Sequence, residues 1–298
     1  MRTRSRQYVG VAAIILANFI WSGSFSATAI AVHGMSPAFI SMVRLGTGAL
    51  VLSPFLKLSK GSKWDWKTIF LALMLGAIGF AAPVYLETVG LALSTPALAA
   101  ISIALEPLFT VVIASLLLRE RLNWSRRLAL AVAFVGAWAI AGLPRPGKSG
   151  YLAGDLLLIA AVFCYAIYNA YSQRLAGKLS SAAATSATLW GGFLSSIPIW
   201  LLTGGDVPHS LRFPDWTALL YLALVATASA YVLWMFALKI IPVSQAALFL
   251  YMQPVFGVLL SVMIVGTRPG WYFYLGAGLI LFAILLGRER AARQPSHK

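Results

Sequence analysis

Ionisable side chains occur deep within apolar stretches of this sequence, at Arg44, Glu87 and Glu106. A charge at the centre of a hydrocarbon layer costs about 2.5–3.5 kcal/mol or more, so such residues commonly pair with one another or face a water-filled cavity. There they can contact a polar solute, carry a proton or join neighbouring helices by hydrogen bonds. The pattern therefore predicts a polar site surrounded by apolar structure.

Glu106 has the most informative neighbours. Ser102 and Thr110 stand four residues before and after it, so the three side chains share one helix face. Pro107 has no N–H, which leaves the carbonyl of Ile103 without its helical partner. We expect a polar notch about 16 Å along this helix from its outer end. Two interpretations stay open: Glu106 binds a solute or a proton, or its hydrogen bonds stabilise a bend.

Further polar residues recur at helical spacing with aromatic residues beside them, beginning at Asn18 and at Tyr165. A deep aromatic ring with a polar edge suits a cavity, although any single ring can equally pack between helices or against lipid. With the residues of matching depth added, the predicted substrate-binding residues are Trp21, Phe25, Tyr85, Glu106, Tyr165, Asn169, Trp190, Trp234, Tyr251 and Gln253.

The elements that must position these side chains are membrane helices. The 298-residue chain is 60% hydrophobic and 10% charged, whereas soluble domains carry about 25% charged residues. A membrane-spanning helix needs about 20 mostly apolar residues. The sequence predicts an all-α integral membrane protein with ten transmembrane helices, at about 8–31, 36–56, 67–93, 95–118, 125–142, 151–172, 181–202, 216–238, 243–266 and 270–287.

Lysine and arginine are distributed unevenly among the connections. With a cytoplasmic N-terminus, eighteen of the 23 lie on the cytoplasmic side, four lie outside and Arg44 lies within a span. This asymmetry predicts that both termini are cytoplasmic. We expect a multi-pass protein of a bacterial inner membrane. The net charge of +15 is then a topology signal, because no basic face outside the membrane carries the interleaved aromatics of a nucleic-acid-binding protein. A cleaved signal peptide ending near residues 27–29 is the alternative for the N-terminus, and it would leave nine spans.

An internal repeat organises the chain. Residues 97–124 align with residues 244–271 at an offset of 147, with seven identities in 28 positions, and Glu106-Pro107 falls on Gln253-Pro254. The offset is about half the chain length, which predicts a first five-helix repeat over 1–145 and a second over 146–298. Because five is an odd number of spans, the two repeats insert in opposite orientations, as in many secondary transporters.

Signatures of an enzyme or a metal site are missing from the sequence. The single cysteine, Cys164, excludes an intrachain disulfide framework, and the three histidines fall in connections or in the C-terminal tail. No HExxH, Walker-type or nucleophile-elbow motif occurs. We therefore predict no catalytic residue, no metal site, no cofactor and no ATP-driven mechanism.

Several short motifs stand in order along the chain. They are Trp21-Ser22-Gly23-Ser24-Phe25, Pro37 followed by Arg44, and Leu105-Glu106-Pro107 followed by Arg119-Glu120-Arg121-Leu122. Together they resemble the motifs of the EamA-type transporters of the drug/metabolite transporter superfamily, over nearly the whole chain. Two departures are Ser22, inserted into the first motif, and Thr267, where the family often has a second closing glutamate.

The resemblance implies two inverted five-helix repeats around a central cavity, and the export of small metabolites such as amino acids. We therefore expect a secondary transporter that works by alternating access on a small-molecule substrate, surrounded by membrane lipid. Protons are the candidate coupling ion, and Glu106 is the group that would carry them. The alternative is a membrane enzyme or an assembly partner that transports nothing.

Overall fold

The structure, a computed structural model, consists of helices and connecting loops throughout the residues that it describes, which are 2–58, 63–94, 102–118, 123–141, 152–266 and 268–287. Two π-helices, Ala77–Ala81 and Tyr221–Ser229, interrupt the longer helical segments 66–93 and 213–238. The α-helices, in chain order, are α1 (Arg2–Ala31), α2 (Pro37–Leu52), α3 (Pro54–Leu58), α4 (Trp66–Gly76), α5 (Ala82–Leu93), α6 (Glu106–Leu117), α7 (Trp124–Ala141), α8 (Leu152–Ala176), α9 (Ser181–Leu202), α10 (Phe213–Leu220), α11 (Ala230–Leu238), α12 (Val243–Leu250), α13 (Met252–Val265) and α14 (Trp271–Gly287).

Seven helical segments of the described chain are long and apolar enough to cross a membrane. They are Ser5–Ala31, Pro37–Leu58, Trp66–Leu91, Trp124–Ala141, Leu152–Ala176, Phe213–Leu238 and Val243–Met263. The predicted spans 95–118 and 270–287 correspond to the shorter apolar helices Ser102–Leu117 and Trp271–Gly287, and 181–202 corresponds to the 22-residue α9. The all-α membrane architecture is confirmed, and the count of ten spans stays a prediction.

Some sequence features fall outside the described residues. These are residues 95–101 of the fourth predicted span, the motif at 119–122 with Glu120, the basic connection at 142–151, Thr267, and the tail beyond residue 287. The proline break next to Glu106 lies within the described chain. A turn at Leu105 separates residues 102–104 from α6, in which Pro107 is the second residue.

The two π-helices lie at related positions. Adding the repeat offset of 147 to residues 77–81 gives 224–228, which falls inside the second π-helix. The same offset relates the turn at Leu105, within one residue, to the turn at Tyr251 between α12 and α13. A π-helical turn shifts backbone groups out of the regular hydrogen-bond ladder and is frequent at functional sites. The repeat detected in the sequence therefore extends to these local distortions of the helices.

Small residues bring helices into near-backbone contact. A methyl group on Gly76 of α4 would overlap the backbone of Thr188 and Gly192 in α9, and one on Gly191 would overlap the backbone of Leu73. Close approach of this kind is how helices pack in membranes, where no hydrophobic force drives them together. The contact joins the N-terminal and C-terminal parts of the chain near the first π-helix.

Two helix starts have side-chain caps of different charge. The Asp65 carboxylate accepts a hydrogen bond from the Thr68 N–H at 2.6 Å at the start of α4, and the Ser180 hydroxyl accepts one from the Ala183 N–H at 3.2 Å at the start of α9. Hydrogen bonding from Thr68 holds the pKa of the exposed Asp65 carboxyl below its usual range. Each cap satisfies one of the free N–H groups of a helix N-terminus.

Candidate functional site

A cavity of about 70 Å³ lies where α1, α2, α5, α6, α8, α11 and α13 approach one another. A space of this size holds a few water molecules. Charged, polar and aromatic side chains from both parts of the chain line it: Trp21, Ser24, Phe25, Thr28, Arg44, Val84, Glu87, Thr88, Leu91, Ile103, Glu106, Val162, Tyr165, Asn169, Tyr231 and Gln253. Arg44, Glu87 and Glu106 therefore surround one common space, which we call the polar cavity.

Glu106 reaches the polar cavity from the first turn of α6. Its Oε1 accepts a hydrogen bond from Nδ2 of Asn169 at 2.8 Å, and the same amide donates to the hydroxyl of Thr110 at 3.3 Å. Thr110 and Asn169 are buried. Glu106 therefore lines a cavity and also joins α6 to α8, and both interpretations of its role stay open.

Glu87 reaches the cavity from α5 and is held in a similar way. Its Oε2 accepts a hydrogen bond from the hydroxyl of Tyr165 in α8 at 2.8 Å. A second carboxylate also joins α5 to α8: Asp155 of α8 accepts a hydrogen bond from the Ser94 hydroxyl near the C-terminal end of α5. Neutral donors therefore contact both carboxylates of the cavity, Glu87 and Glu106.

Arg44 is the cation of the cavity and comes from α2. Its Nε donates to the hydroxyl of Thr227 in the second π-helix at 2.9 Å. Among the described residues, no carboxylate lies within the 4.0 Å of an ion pair with Arg44. The preceding residue of the same π-helix, Ala226, accepts a hydrogen bond from the indole Nε1 of Trp21 at 3.0 Å. Successive residues of one π-helix therefore hold the cation and an aromatic wall.

Gln253 lies in α13 just before Pro254 and lines the same cavity. Its Nε2 donates to Oδ1 of Asn18 in α1 at 3.2 Å. Asn18 is buried, and its Nδ2 donates to the carbonyl of Ile14 at 2.7 Å. The glutamine is therefore fixed by a neutral amide pair, in contrast to the carboxylate at Glu106.

Packed aromatic rings close one side of the cavity. The ring of Trp21 lies 5.0 Å from that of Tyr231 and 5.9 Å from that of Trp234, between centroids. Phe80 of the first π-helix packs edge-on against Tyr231 at 4.5 Å and at a tilt against Tyr168 at 4.7 Å. Such contacts stabilise a rigid wall beyond what burial alone provides.

A second, wider cavity adjoins the polar one. It has a volume of about 350 Å³ and is mostly apolar. Phe25, Leu91, Ile103, Glu106 and Gln253 line both spaces, so the two are neighbours. The remaining residues around this apolar cavity are Ala104, Pro107, Ala137, Ile140, Ala141, Leu250, Tyr251, Pro254, Gly257 and Val258. Its volume falls in the range of about 300–1,000 Å³ that is usual for small-molecule sites.

The structure brings together most of the predicted substrate-binding residues. Trp21, Phe25, Glu106, Tyr165, Asn169 and Gln253 line the polar cavity, and Tyr251 lines the apolar one. Tyr85, Trp190 and Trp234 line neither space. Whether any of the ten binds a substrate stays a prediction.

Local packing explains these three exceptions. Val84, Glu87, Thr88 and Leu91 form the cavity face of α5, and the 100° step of a helix turns Tyr85 away from it. The indole of Trp190 donates instead to the hydroxyl of Ser53 at 3.0 Å. Trp234 is completely buried behind Trp21 and donates to Ser172 at 3.3 Å. The position of a residue along a helix can be read from the sequence, but the face of the helix on which it lies cannot.

Four further residues of the site were absent from the predicted set. Arg44 and Glu87 had a signal, because an ionisable residue within an apolar stretch indicates a functional position. Tyr231 lines the polar cavity and Thr227 holds Arg44 from behind. A lone threonine in an apolar helix carries no sequence signal for such a role. In the described part of the chain, no three His, Cys, Asp or Glu side chains come together as a metal site.

Comparison with known proteins gives consistent matches over the full architecture. The model of the EamA-like transporter family matches twice, at residues 8–142 and 152–287. An uncharacterized transporter of Bacillus subtilis, YyaM, is 25% identical over 286 residues, covering 94% of this chain and 93% of its own. A crystal structure with 20% sequence identity superposes with a TM-score of 0.76, covering 95% of this chain and 97% of that one, which supports the fold alone.

Two relatives have more specific names. A probable terminal-alkyne amino-acid exporter of Streptantibioticus cattleyicolor is 23% identical over 293 residues, covering 96% of this chain and 97% of its own. A biotin transporter of Escherichia coli is 25% identical over 289 residues, with coverage of 92% and 91%. These are names of transporters, not of enzymes, and they differ in the compound carried.

Proposed function

Because the chain belongs to the EamA-like transporter family, we propose that it is a secondary transporter that exports small metabolites, such as amino acids or related compounds, by alternating access. One observation carries this proposal: charged residues from one family-matched segment and neutral partners from the other surround a shared cavity. Arg44, Glu87 and Glu106 come from residues 8–142, and their partners come from residues 152–287. A site built across two segments changes when the segments move, as alternating access requires.

The proposed substrate-binding residues are the seven predicted residues that line one of the two cavities, with Arg44 and Glu87 added. The polar cavity supplies charge and hydrogen bonds, and the apolar cavity beside it supplies room for a side chain or ring. Arrangements of a mostly apolar pocket with a few placed polar groups are typical of small-molecule sites. Glu106 is the proposed proton carrier, since it lines both spaces and contacts a neutral amide.

The architecture proposed with this function is ten membrane helices in two inverted five-helix repeats, 1–145 and 146–298, in a bacterial inner membrane and in contact with its lipid. The distribution of lysine and arginine supports cytoplasmic termini. A reporter enzyme fused after Lys298 is expected to be active in the cytoplasm, and one inserted at residues 203–215 is expected to be active outside. A C-terminus on the outer side contradicts the inverted arrangement.

Transport by the purified protein in liposomes tests the function directly. We expect accumulation of at least one labelled compound from a panel of amino acids and aromatic metabolites, with protein-free liposomes as the control. An imposed proton gradient is expected to accelerate transport if Glu106 couples it to protons. No transport of any compound in either orientation would favour the alternative of a membrane protein with an assembly role.

A further inference from the structure

We infer that Arg44 binds a carboxylate group of the transported compound, that the compound's apolar body occupies the adjoining apolar cavity, and that Thr227 is the positioning residue that fixes Arg44. The inference rests on the proposed function and goes further by naming the chemical class of the substrate. That class is a small carboxylate with an apolar or aromatic body. Three observations support it, from the cation, from its neutral surroundings and from the shape of the paired cavities.

The first observation is that the cation lacks a close anionic partner. A guanidinium is always charged and has five N–H donors in a planar fork that matches a carboxylate. In Arg44 the Nε donates to Thr227 at 2.9 Å, and the residue lines the polar cavity. The described residues provide no carboxylate within ion-pair distance of it, and Glu87 interacts with it electrostatically from further away. A carboxylate that enters the cavity therefore meets a cation that is oriented and not yet paired with an anion.

The second observation is that the carboxylates of the cavity are already held by other groups. Glu87 accepts from Tyr165, and Glu106 accepts from Asn169, each at 2.8 Å. A charge removed from water is costly unless it is closely paired. After Nε has bonded Thr227, the guanidinium of Arg44 still has N–H donors for an anion. We therefore take an anion at Arg44 as the preferred ligand.

The third observation is the arrangement of the two cavities. The polar cavity of about 70 Å³ is too small for a whole metabolite, and the apolar cavity of about 350 Å³ next to it is large enough. Phe25, Leu91 and Ile103 belong to both linings, together with the polar Glu106 and Gln253, so the two spaces adjoin. A molecule with a charged end and an apolar body fills both spaces at once, and a fully polar solute leaves the larger one empty.

Thr227 is placed to set the direction of Arg44 without touching the substrate itself. It is completely buried in the second π-helix, it is absent from the lining of both cavities, and its hydroxyl accepts from Nε. Its methyl group lies close to Gly48 of α2, one helical turn from Arg44. Holding Nε occupies the side-on edge of the guanidinium and leaves the two terminal nitrogens, which can bind a carboxylate end-on in bidentate fashion.

A binding experiment with matched probes tests this inference. The full-length protein in detergent is titrated at constant pH with 3-phenylpropionate, 3-phenyl-1-propanol and 3-phenylpropylamine, which share one aromatic body and differ in the charge of one end. Apparent affinities come from the rise in melting temperature. We expect the acid to bind at least about tenfold more tightly than the alcohol, because the acid, unlike the neutral alcohol, forms a charge-assisted contact with Arg44. The amine is expected to bind no better than the alcohol.

Variants separate the cation from its positioning residue. R44Q is expected to remove the preference for the acid while the alcohol still binds, and R44K is expected to keep part of it. T227V is expected to reduce the preference for the acid several-fold. T227S, which keeps the hydroxyl, is expected to retain this preference. If R44Q does not fold, the inference is tested by the ratio of acid to alcohol affinity in R44K and T227V, which is expected to be lower than in the wild type. The melting temperature without probe shows whether each variant is folded.

Several results would overturn the inference. They are equal binding of acid and alcohol by the wild type, tighter binding of the amine, no binding of any probe, or an acid preference that persists in R44Q. A lost preference together with intact transport in liposomes rejects the anion site and leaves the transport function standing. An acid preference together with no transport of the whole panel rejects the transport function and leaves the site.

Discussion

The two family-matched segments contribute different chemistry to one cavity. Residues 8–142 supply the charges, at Arg44, Glu87 and Glu106, and residues 152–287 supply the neutral hydrogen-bond partners. Those partners, in the same order, are Thr227, Tyr165 and Asn169. Each charged side chain is therefore held by the other segment, so a relative movement of the segments alters the surroundings of all three charges together.

The two segments differ most clearly in the residue that precedes each mid-helix proline. Glu106-Pro107 and Gln253-Pro254 each follow a break between helical turns, and both Glu106 and Gln253 line the cavity. Glu106 accepts from Asn169 at 2.8 Å, and Gln253 donates to Asn18 at 3.2 Å, so an asparagine of the opposite segment holds each one. The two segments therefore share a backbone geometry next to the proline, and the charged side chain occurs only in residues 8–142.

Replacing Glu106 by glutamine makes the two proline sites chemically alike and has the largest expected effect. Glu106→Gln keeps the shape of the side chain and can still bond Asn169, so the protein is expected to fold. Transport is expected to fall about a hundredfold, corresponding to about 2.7 kcal/mol. The profile between about pH 5.5 and 8.5 is expected to flatten, because a titrating carboxyl is lost.

Uptake into proteoliposomes across this pH range, with melting curves alongside, provides the measurement. Thr110, Asn169, Gln253 and Glu87 are the other polar groups around Glu106, and Glu87 is the ionisable one among these four. Glu87→Gln is therefore the companion variant that separates the two carboxylates. Full activity and an unchanged pH profile in Glu106→Gln would leave Glu106 with a purely structural role.

The contact between the segments at Gly76 and Gly191 provides the next test. Gly76→Ala is expected to lower the free energy of unfolding by about 2 kcal/mol, since the added methyl group meets helix backbone that cannot yield as a flexible side chain does. Gly278→Ala is the control, because nothing lies within 4 Å of a methyl group there. Thermal unfolding in detergent measures both. Equal stability of the two variants would show that the segments do not meet as closely as described.

The two asparagine contacts can be ranked by double-mutant cycles. The coupling free energy of ionised Glu106 with Asn169, measured at alkaline pH, is expected to be about 1.5–3 kcal/mol, and that of Gln253 with Asn18 about 0.5–1.5 kcal/mol, because hydrogen bonds to charged groups are stronger. The free energy of unfolding is measured for the single and double leucine variants under identical conditions. Glu106→Leu alone is expected to lower stability, since Asn169 loses its acceptor. A larger coupling at Gln253 would mean that Glu106 is neutral in the folded protein.

Removing a helix cap is expected to have the smallest effect on stability, and the two caps differ in charge. Asp65→Ala is expected to destabilise the protein slightly at neutral pH and less so in acid, because the pKa of Asp65 is lowered in the folded state. A depressed pKa contributes stability above its unfolded value and loses it as the pH falls through the folded value. Ser180→Ala is expected to have a pH-independent effect, since the hydroxyl does not titrate. Melting curves at several pH values compare the two caps.

The sequence by itself determined the class of the protein and the positions of its polar groups along the helices. Apolar stretches, flanking charges and the offset of 147 predicted a helical membrane protein with a repeated plan, because hydrocarbon imposes length and composition on any helix within it. Pro107 and Pro254 predicted the mid-helix breaks through the N–H that proline lacks. These are local constraints, and local constraints can be read along a single chain.

Only the tertiary structure decided which face of each helix meets the cavity and which residues hold the charges. Tyr85 and Glu87 lie two positions apart on one helix, yet only Glu87 lines the polar cavity. Thr227 holds Arg44 across 183 positions of sequence, and no local pattern indicates that pairing. In a helix that is apolar on every side, the hydrophobic period no longer marks the buried face. The rotation of such a helix is set by close packing at glycines such as Gly76 and by hydrogen bonds between helices, and these exist only after the helices have met.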